Sequence, residues 1–228
     1  PPRSTLSSSS AASDVYKRQV VTPAGEIVEL GGKRVKDVTG YDLISLMVGS
    51  EGTLGIFTRI ILKLVPLPKA SVDLLCLFKA PQEAIAVVPK IMTGGGIIPT
   101  AIEFMDRSCV KAACEYLNES LPWEEAAAML LITVDGADVE QVEREYEAIG
   151  EICYESDAIE VYVADNYTTS ERVWRVRRNI PEAWKYFSPR RTTEDVVVPI
   201  AAIVEFLEKV GEISKKWDCP MPNYGHAG

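Results

Sequence analysis

The chain has 228 residues, 47% of them hydrophobic, and carries 24 Lys and Arg against 33 Asp and Glu, for a formal net charge of −9. That is enough apolar material for one large domain or two small ones, so disorder as the main state is excluded. The acidic balance also argues against nucleic acid and anionic membrane surfaces as main partners, because such binding rests on clustered Lys and Arg.

Residues 1–19 (PPRSTLSSSSAASDVYKRQ) are Ser-rich, poor in large apolar side chains and without a period, so they are expected to form a disordered, extraneous tail. Their second half, Ser7 to Gln19, resembles an adapter-derived translation scar of fragmentary environmental sequences, and is set aside from the fold. Val20 to Thr22 and Glu26 to Leu30 are β-prone runs joined by Pro23-Ala24-Gly25, which reads as a hairpin. Thr39-Gly40-Tyr41-Asp42 has the spacing of a capping box and opens a short helix to about Met47. Gly49, Gly52 and Gly55 follow at intervals of three, and then a β-branched run from Ile56 to Val65. Pro66 and Pro68 mark a boundary, since each removes a backbone donor and restrains its predecessor to extended conformations.

Beyond that boundary strands and helices alternate. Ser71 to Phe78, Thr100 to Met105 and Met129 to Val134 read as strands. Helices are expected from Gln82 to Met92, from Arg107 to Leu117 behind an Asp106 cap, and from Asp138 to a stop at Gly150. Ile152 to Tyr154, Ile159 to Val163 and Val196 to Val198 are weaker strand candidates. Thr169 to Asn179 is helical and Arg-rich, and Ile200 to Trp217 is amphipathic, with Ile203, Val204, Leu207, Val210, Ile213 and Trp217 on the expected core face. The pattern implies an α+β sandwich of ferredoxin-like type, with helices on one face of an antiparallel sheet.

The five cysteines include no Cys-x-x-Cys pair, which fits reduced thiols and a cytoplasmic location. No stretch reaches the roughly 18 to 20 apolar residues that span a bilayer.

The sharpest local signal is Gly49-Ser50-Glu51-Gly52-Thr53-Leu54-Gly55-Ile56-Phe57, where three residues without Cβ atoms let the backbone approach a ligand. A helix precedes it and a strand follows, the reverse of a dinucleotide fingerprint or a P-loop, and a tight structural turn is the alternative. Together with Lys36-Asp37-Val38-Thr39-Gly40-Tyr41-Asp42-Leu43, it resembles the end of the FAD-binding domain in the FAD-linked oxidases of the vanillyl-alcohol oxidase superfamily. Within that superfamily the resemblance is to the glycolate oxidase and D-lactate dehydrogenase branch, and it runs from about Val20 to Gly228.

The resemblance implies a division into 20–66, the C-terminal part of a PCMH-type FAD-binding domain, and 67–228, an incomplete FAD-linked oxidase cap domain of ferredoxin-like antiparallel α/β fold. It gives Glu51, Gly52, Thr53, Leu54, Gly55 and Ile56 the role of contacting FAD. It makes Arg177, in the Trp174-Arg175-Val176-Arg177-Arg178 run, the anchor for the carboxylate of a D-2-hydroxy acid, a task that suits a guanidinium's parallel donors. Arg175 and Arg178 read as a solvated helix face, and Glu194 and Asp195 as solvated carboxylates.

His226 is the only histidine. Tyr224-Gly225-His226-Ala227-Gly228 resembles the opening of the family's His-Ala-Gly-Asp-Gly-Asn-x-His motif, which makes His226 a catalytic residue and a ligand of a divalent metal whose other ligands are missing. The expectation is thus a fragment, lacking the pyrophosphate-binding half of the FAD domain, of an enzyme that passes hydride from D-lactate or glycolate to flavin, with an electron-acceptor subunit as a further partner. The competing expectation is a non-enzymatic ligand-binding or assembly module built on the ferredoxin-like unit.

Overall fold

The structure is a computed structural model that describes residues 15–32, 39–62, 64, 66–188 and 190–228. Residues 1–14 of the expected tail, Lys36 to Val38 of the family motif, and Lys63 and Val65 of the β-branched run lie outside the described residues. The chain divides between Leu67 and Pro68 into two units.

In the first unit β1 (Val15–Val21) is the central strand of a three-stranded antiparallel sheet, flanked by β2 (Ile27–Gly31) and β3 (Ile56–Leu62). The turn between β1 and β2 closes through Thr22 N–H donating to Glu26 O at 2.9 Å, with Gly25 at φ +80°. Two expectations fail here. The segment from Val15 to Gln19 was expected not to fold, yet it is strand. Ladder hydrogen bonds are made by the main chain, so a central strand tolerates polar residues, and Arg18 is buried with its guanidinium over the Phe57 ring at 4.9 Å. The short helix α1 (Leu43–Met47) is capped by Asp42 and not by Thr39: Asp42 Oδ1 accepts from Ser45 N–H at 3.0 Å and Oδ2 from Ser45 Oγ at 2.6 Å. The hydroxyl and amide of Ser45 hold the Asp42 carboxyl below its usual range.

The second unit is built on β4 (Ala70–Phe78), β5 (Ala101–Asp106), β6 (Ala128–Gly136), β7 (Glu160–Ala164) and β8 (Tyr224–His226). These pair antiparallel in the order β7-β4-β6-β5-β8. Helix α2 (Pro81–Pro89) links β4 to β5 and α4 (Val139–Tyr154) links β6 to β7, which is the split βαβ repeat of a ferredoxin-like core. The mixed helix and antiparallel-sheet architecture is therefore as expected, but the expectation of helices on one face is not met. Val72, Leu74, Cys76 and Phe78 pack against α2 and α4, whereas Leu75, Leu77, Met129 and Leu131 pack against α3 (Arg107–Leu117) and α5 (Tyr167–Phe187). The continuous apolar runs Leu74 to Phe78 and Met129 to Ile132 explain this, because a strand wetted on one face would alternate.

Helix α4 passes through Gly150, so Ile152 to Tyr154 is helix and not strand. A glycine costs about 1 kcal/mol in a helix interior, and the buried Ile149 and Cys153 on either side outweigh it. Helix α5 likewise runs through Pro181 with Ile180 and Ala183 buried beside it. Val196 to Val198 forms no strand; Val196 and Val197 are exposed, and the edge of β5 is already taken by β8. The last helix, α6 (Ile203–Trp217), lays Ile203, Val204 and Leu207 on the α2 side of the core, whereas Ile213 and Trp217, expected on the same face, are exposed because only the N-terminal half of the helix packs there. Among the described residues no helix is long and apolar enough to cross a membrane.

Candidate active site

Two candidate constellations stand out, one in each unit. The glycine loop of the first unit links α1 to β3. Gly49, Glu51 and Gly52 all have positive φ, at +74°, +48° and +79°, which turns successive backbone groups outward. Thr53 closes the turn by donating from N–H and Oγ1 to Ser50 O at 2.8 and 2.6 Å. Glu51 to Leu54 are exposed, and a Cβ on Gly52 would meet nothing within 4 Å. Ser50 Oγ is buried without a hydrogen-bond partner. An open backbone beside an orphaned hydroxyl fits a loop that contacts a polar cofactor such as FAD. Gly55 differs from Gly52, since a Cβ there would come within 2.6 Å of Val20 Cγ1 and 2.9 Å of Val21 O. Its glycine is already required by packing on β1.

In the second unit Arg177 and His226 meet, and the residue that joins them is Glu103. Arg177 on α5 donates to Glu103 Oε2 from Nε at 3.1 Å and from Nη2 at 2.7 Å. His226 Nδ1 lies 2.6 Å from Glu103 Oε1. The positions follow from register. Glu103 pairs with His226 across β5 and β8, and strand alternation puts Glu103, Met105, Tyr224 and His226 on the α5 side of the sheet. The Arg177 guanidinium also lies over the Tyr224 ring, 4.9 Å from its centroid. Desolvation raises the Tyr224 phenol above its usual range, keeping it neutral.

Exposure separates the three roles. The side chains of Glu103 and Arg177 are 5% and 13% exposed, whereas that of His226 is 61% exposed. A carboxylate this deep needs a paired charge, and Arg177 supplies it. The Nε–Nη2 edge of Arg177 is thereby engaged. Among the described residues Nη1 has no hydrogen-bond partner, which leaves it, with Nη2, as the edge open to a second carboxylate.

A second buried carboxylate lies on the same sheet face. Asp73, 2% exposed, accepts from Thr133 Oγ1, Ser170 Oγ and, at 3.1 Å, Trp174 Nε1. Trp174 and Arg177, three residues apart on α5, thus each engage an acid of the sheet, and the two contacts fix the rotation of the helix. Strand β8 is fastened by Asp106, whose Oδ1 caps α3 by accepting from Cys109 N–H at 2.8 Å, whose Oδ2 accepts from Asn223 N–H at 2.5 Å and whose own N–H donates to Asn223 O at 3.0 Å.

Arg175 pairs with Glu119 at 3.6 Å and Arg178 with Glu171, both on the surface, and Glu194 and Asp195 are exposed. Among the described residues no group of three His, Cys, Asp or Glu side chains comes together to hold a metal. Glu103 engages only Nδ1 of His226, so Nε2 is the one ligand atom this cluster leaves free, and a single ligand does not hold a metal ion. A surface hollow of about 320 Å³ between α4 and β7, lined by Tyr146, Glu151, Tyr154 and Val161, involves none of the Glu103 cluster. Sequence reasoning missed Glu103 and Asp73. The signal was there: each is a lone acid in an otherwise apolar strand, AIEFMD and SVDLLCLF, and such an acid needs a buried partner.

The profile of the family described as FAD linked oxidases, C-terminal domain, matches residues 67–228. The glycolate oxidase subunit GlcD of Bacillus subtilis (strain 168) is 39% identical over 210 residues, covering 92% of this chain and 44% of that protein. The D-lactate dehydrogenase of Anaerostipes hadrus is 37% identical over 214 residues, covering 92% and 45%. The chain therefore spans under half the length of these curated relatives. Among solved structures, 4-ethylphenol oxidase from Gulosibacter chungangensis superimposes with a TM-score of 0.66 at 14% identity, over 91% of this chain and 48% of that one. An alkyldihydroxyacetonephosphate synthase gives 0.62 at 20% identity, over 90% and 41%. At such identities the likeness is one of fold.

Proposed function

Because this chain belongs to the family of FAD-linked oxidases through their C-terminal domain, we propose that the protein it forms part of oxidises a D-2-hydroxy acid of the lactate or glycolate class. The reading is supported most by one observation: a buried Glu103 holds Arg177, a carboxylate anchor, beside His226, an exposed proton acceptor. A 2-hydroxy acid presents a carboxylate next to a carbinol, and these two side chains complement it.

FAD, when bound, accepts the hydride from the substrate's α-carbon. Glu51 to Ile56 would contact it, with Gly52 letting the backbone approach and Ser50 Oγ finding a partner. The Nη1–Nη2 edge of Arg177 takes the substrate carboxylate in two parallel hydrogen bonds, which orients the α-carbon. His226 Nε2 faces outward to receive the hydroxyl proton. Tyr224 shields the far face of the guanidinium and strengthens its electrostatics by excluding water. Residues 20–66 belong to the FAD-binding domain and 67–228 form the cap, in the cytoplasm, with electrons passed to an acceptor subunit.

The experiment is to express a reading frame of the relatives' full length around this chain, reconstitute it with FAD and offer D- and L-lactate, glycolate and 2-hydroxyglutarate without oxygen. Bleaching of the flavin by a D-2-hydroxy acid or glycolate is expected. A flavoprotein that none of them bleaches would contradict the reading.

A further inference from the structure

We infer that Glu103 is a positioning residue that fixes the tautomer of His226, placing the proton on Nδ1 and the lone pair on Nε2. The purpose assigned to that lone pair rests on the function proposed above, while the geometry stands independently of it.

A carboxylate has only lone pairs to offer, and Arg177 already donates twice to Glu103 Oε2. The 2.6 Å contact between Glu103 Oε1 and His226 Nδ1 must then be bridged by a proton that belongs to the ring. An imidazole free in water favours its proton on Nε2. Left to itself, therefore, His226 would present a donor outward; bonded to Glu103 it presents an acceptor. The contact to Glu103 is the one hydrogen bond of His226 among the described residues, so the outer nitrogen is uncommitted. Whether that nitrogen takes a proton or joins ligands from elsewhere, a lone pair is what it needs.

Three elements enforce the arrangement. The β5–β8 register sets Glu103 opposite His226, Ala227 N–H donates to Ile102 O at 2.8 Å to hold the strand end, and Arg177 fixes the carboxylate from α5. Glu103 is 5% and Arg177 13% exposed, so water does not readily take the place of the guanidinium that fixes the carboxylate.

His226 is the only histidine, so a chain labelled with ¹⁵N-histidine reports on this ring alone. At a pH where the ring is neutral, wild type is expected to show a protonated Nδ1 and an unprotonated Nε2, and Glu103→Ala to return to the Nε2–H form that dominates in free imidazole. A wild-type ring with its proton on Nε2 would overturn the inference, and this reading does not depend on the variant folding. An Nδ1–H signature that persists in a folded Glu103→Ala would also overturn it. The Nδ1–H signature in a full-length flavoprotein that oxidises no 2-hydroxy acid would support the positioning and sink the substrate reading.

Discussion

Arg177 and His226 grip opposite oxygens of one carboxylate, the guanidinium at 2.7 Å from Glu103 Oε2 and the imidazole at 2.6 Å from Oε1. One residue comes from the middle of a 21-residue helix and the other from a three-residue edge strand, so Glu103 is the point at which α5, β5 and β8 are tied together.

Breaking that tie on one side strands a buried charge. Glu103→Leu should destabilise the chain by about 3 to 5 kcal/mol, the usual cost of leaving one partner of a buried ion pair. Removing both charges in Glu103→Leu/Arg177→Met should recover most of it. Urea denaturation of the two variants measures the difference; equal midpoints would mean that the pair is not coupled.

Among the described residues the Asp73 network has no cation, so its stability rests on hydrogen bonds. Asp73→Ala leaves the Thr133, Ser170 and Trp174 donors without their acceptor, and each buried orphan costs about 1 to 3 kcal/mol. Trp174→Phe, which removes a single donor, should cost distinctly less. The two unfolding free energies should rank in that order, and the reverse ranking would show Trp174 held by packing alone.

Stability should also fall in alkali. Burial raises the Cys109 thiol well above its ordinary value of 9.0 and also raises that of Cys114, and a hydrogen bond with Cys153 followed by burial raises that of Cys76 well above it. Above the ordinary value an unfolded chain loses thiol protons that the folded chain retains, so unfolding becomes easier as pH rises. Their contribution is complete below about pH 9 and declines above it. The melting temperature followed from pH 8 to 10 should drop (the range spans the ordinary thiol value of ~9), and drop less in Cys109→Ala. A variant that tracks wild type would remove Cys109 from this account.

The two loop glycines should respond differently to a methyl group. Gly55→Ala drives a Cβ into Val21 O and Val20 Cγ1, and should cost about 1 to 3 kcal/mol in the first unit. Gly52→Ala meets no atom and carries only the strain of its φ of +79°, roughly 1 to 2 kcal/mol. In a full-length protein Gly52→Ala should instead weaken FAD retention. Flavin content per chain, measured beside thermal melts, separates the two effects; a Gly52→Ala protein with full flavin would take the cofactor away from that position.

How far the sequence carries can be seen in single residues. Asp106 and Asp138 are the caps expected of them, because a cap is a local bond between a side chain and an amide two or three residues on. Arg177 and His226 could be named from motifs. Their meeting could not, since β8 joins the sheet at an edge some 120 residues from Glu103 in sequence, and pairing over that distance leaves no local period. Gly150 misleads for the opposite reason: it is a strong local breaker, overridden by the buried Ile149 and Cys153 on either side. The second helical layer was legible in principle, in strands that are apolar on both faces, but α3 and α5 carry no mark that tells which face they cover.

The most direct measurement is anaerobic flavin reduction by D-lactate and glycolate in a full-length protein carrying wild-type sequence, Arg177→Lys or His226→Ala. An ammonium cannot reproduce the guanidinium's parallel donors, and losing a charge-assisted bond of about 1.5 to 3 kcal/mol corresponds to a roughly tenfold to hundredfold slower reaction at limiting substrate. His226→Ala should slow reduction at saturating substrate as well, with flavin content unchanged in both variants. Reduction of the flavin at wild-type rates by both variants would contradict the assignment of this cluster to the substrate.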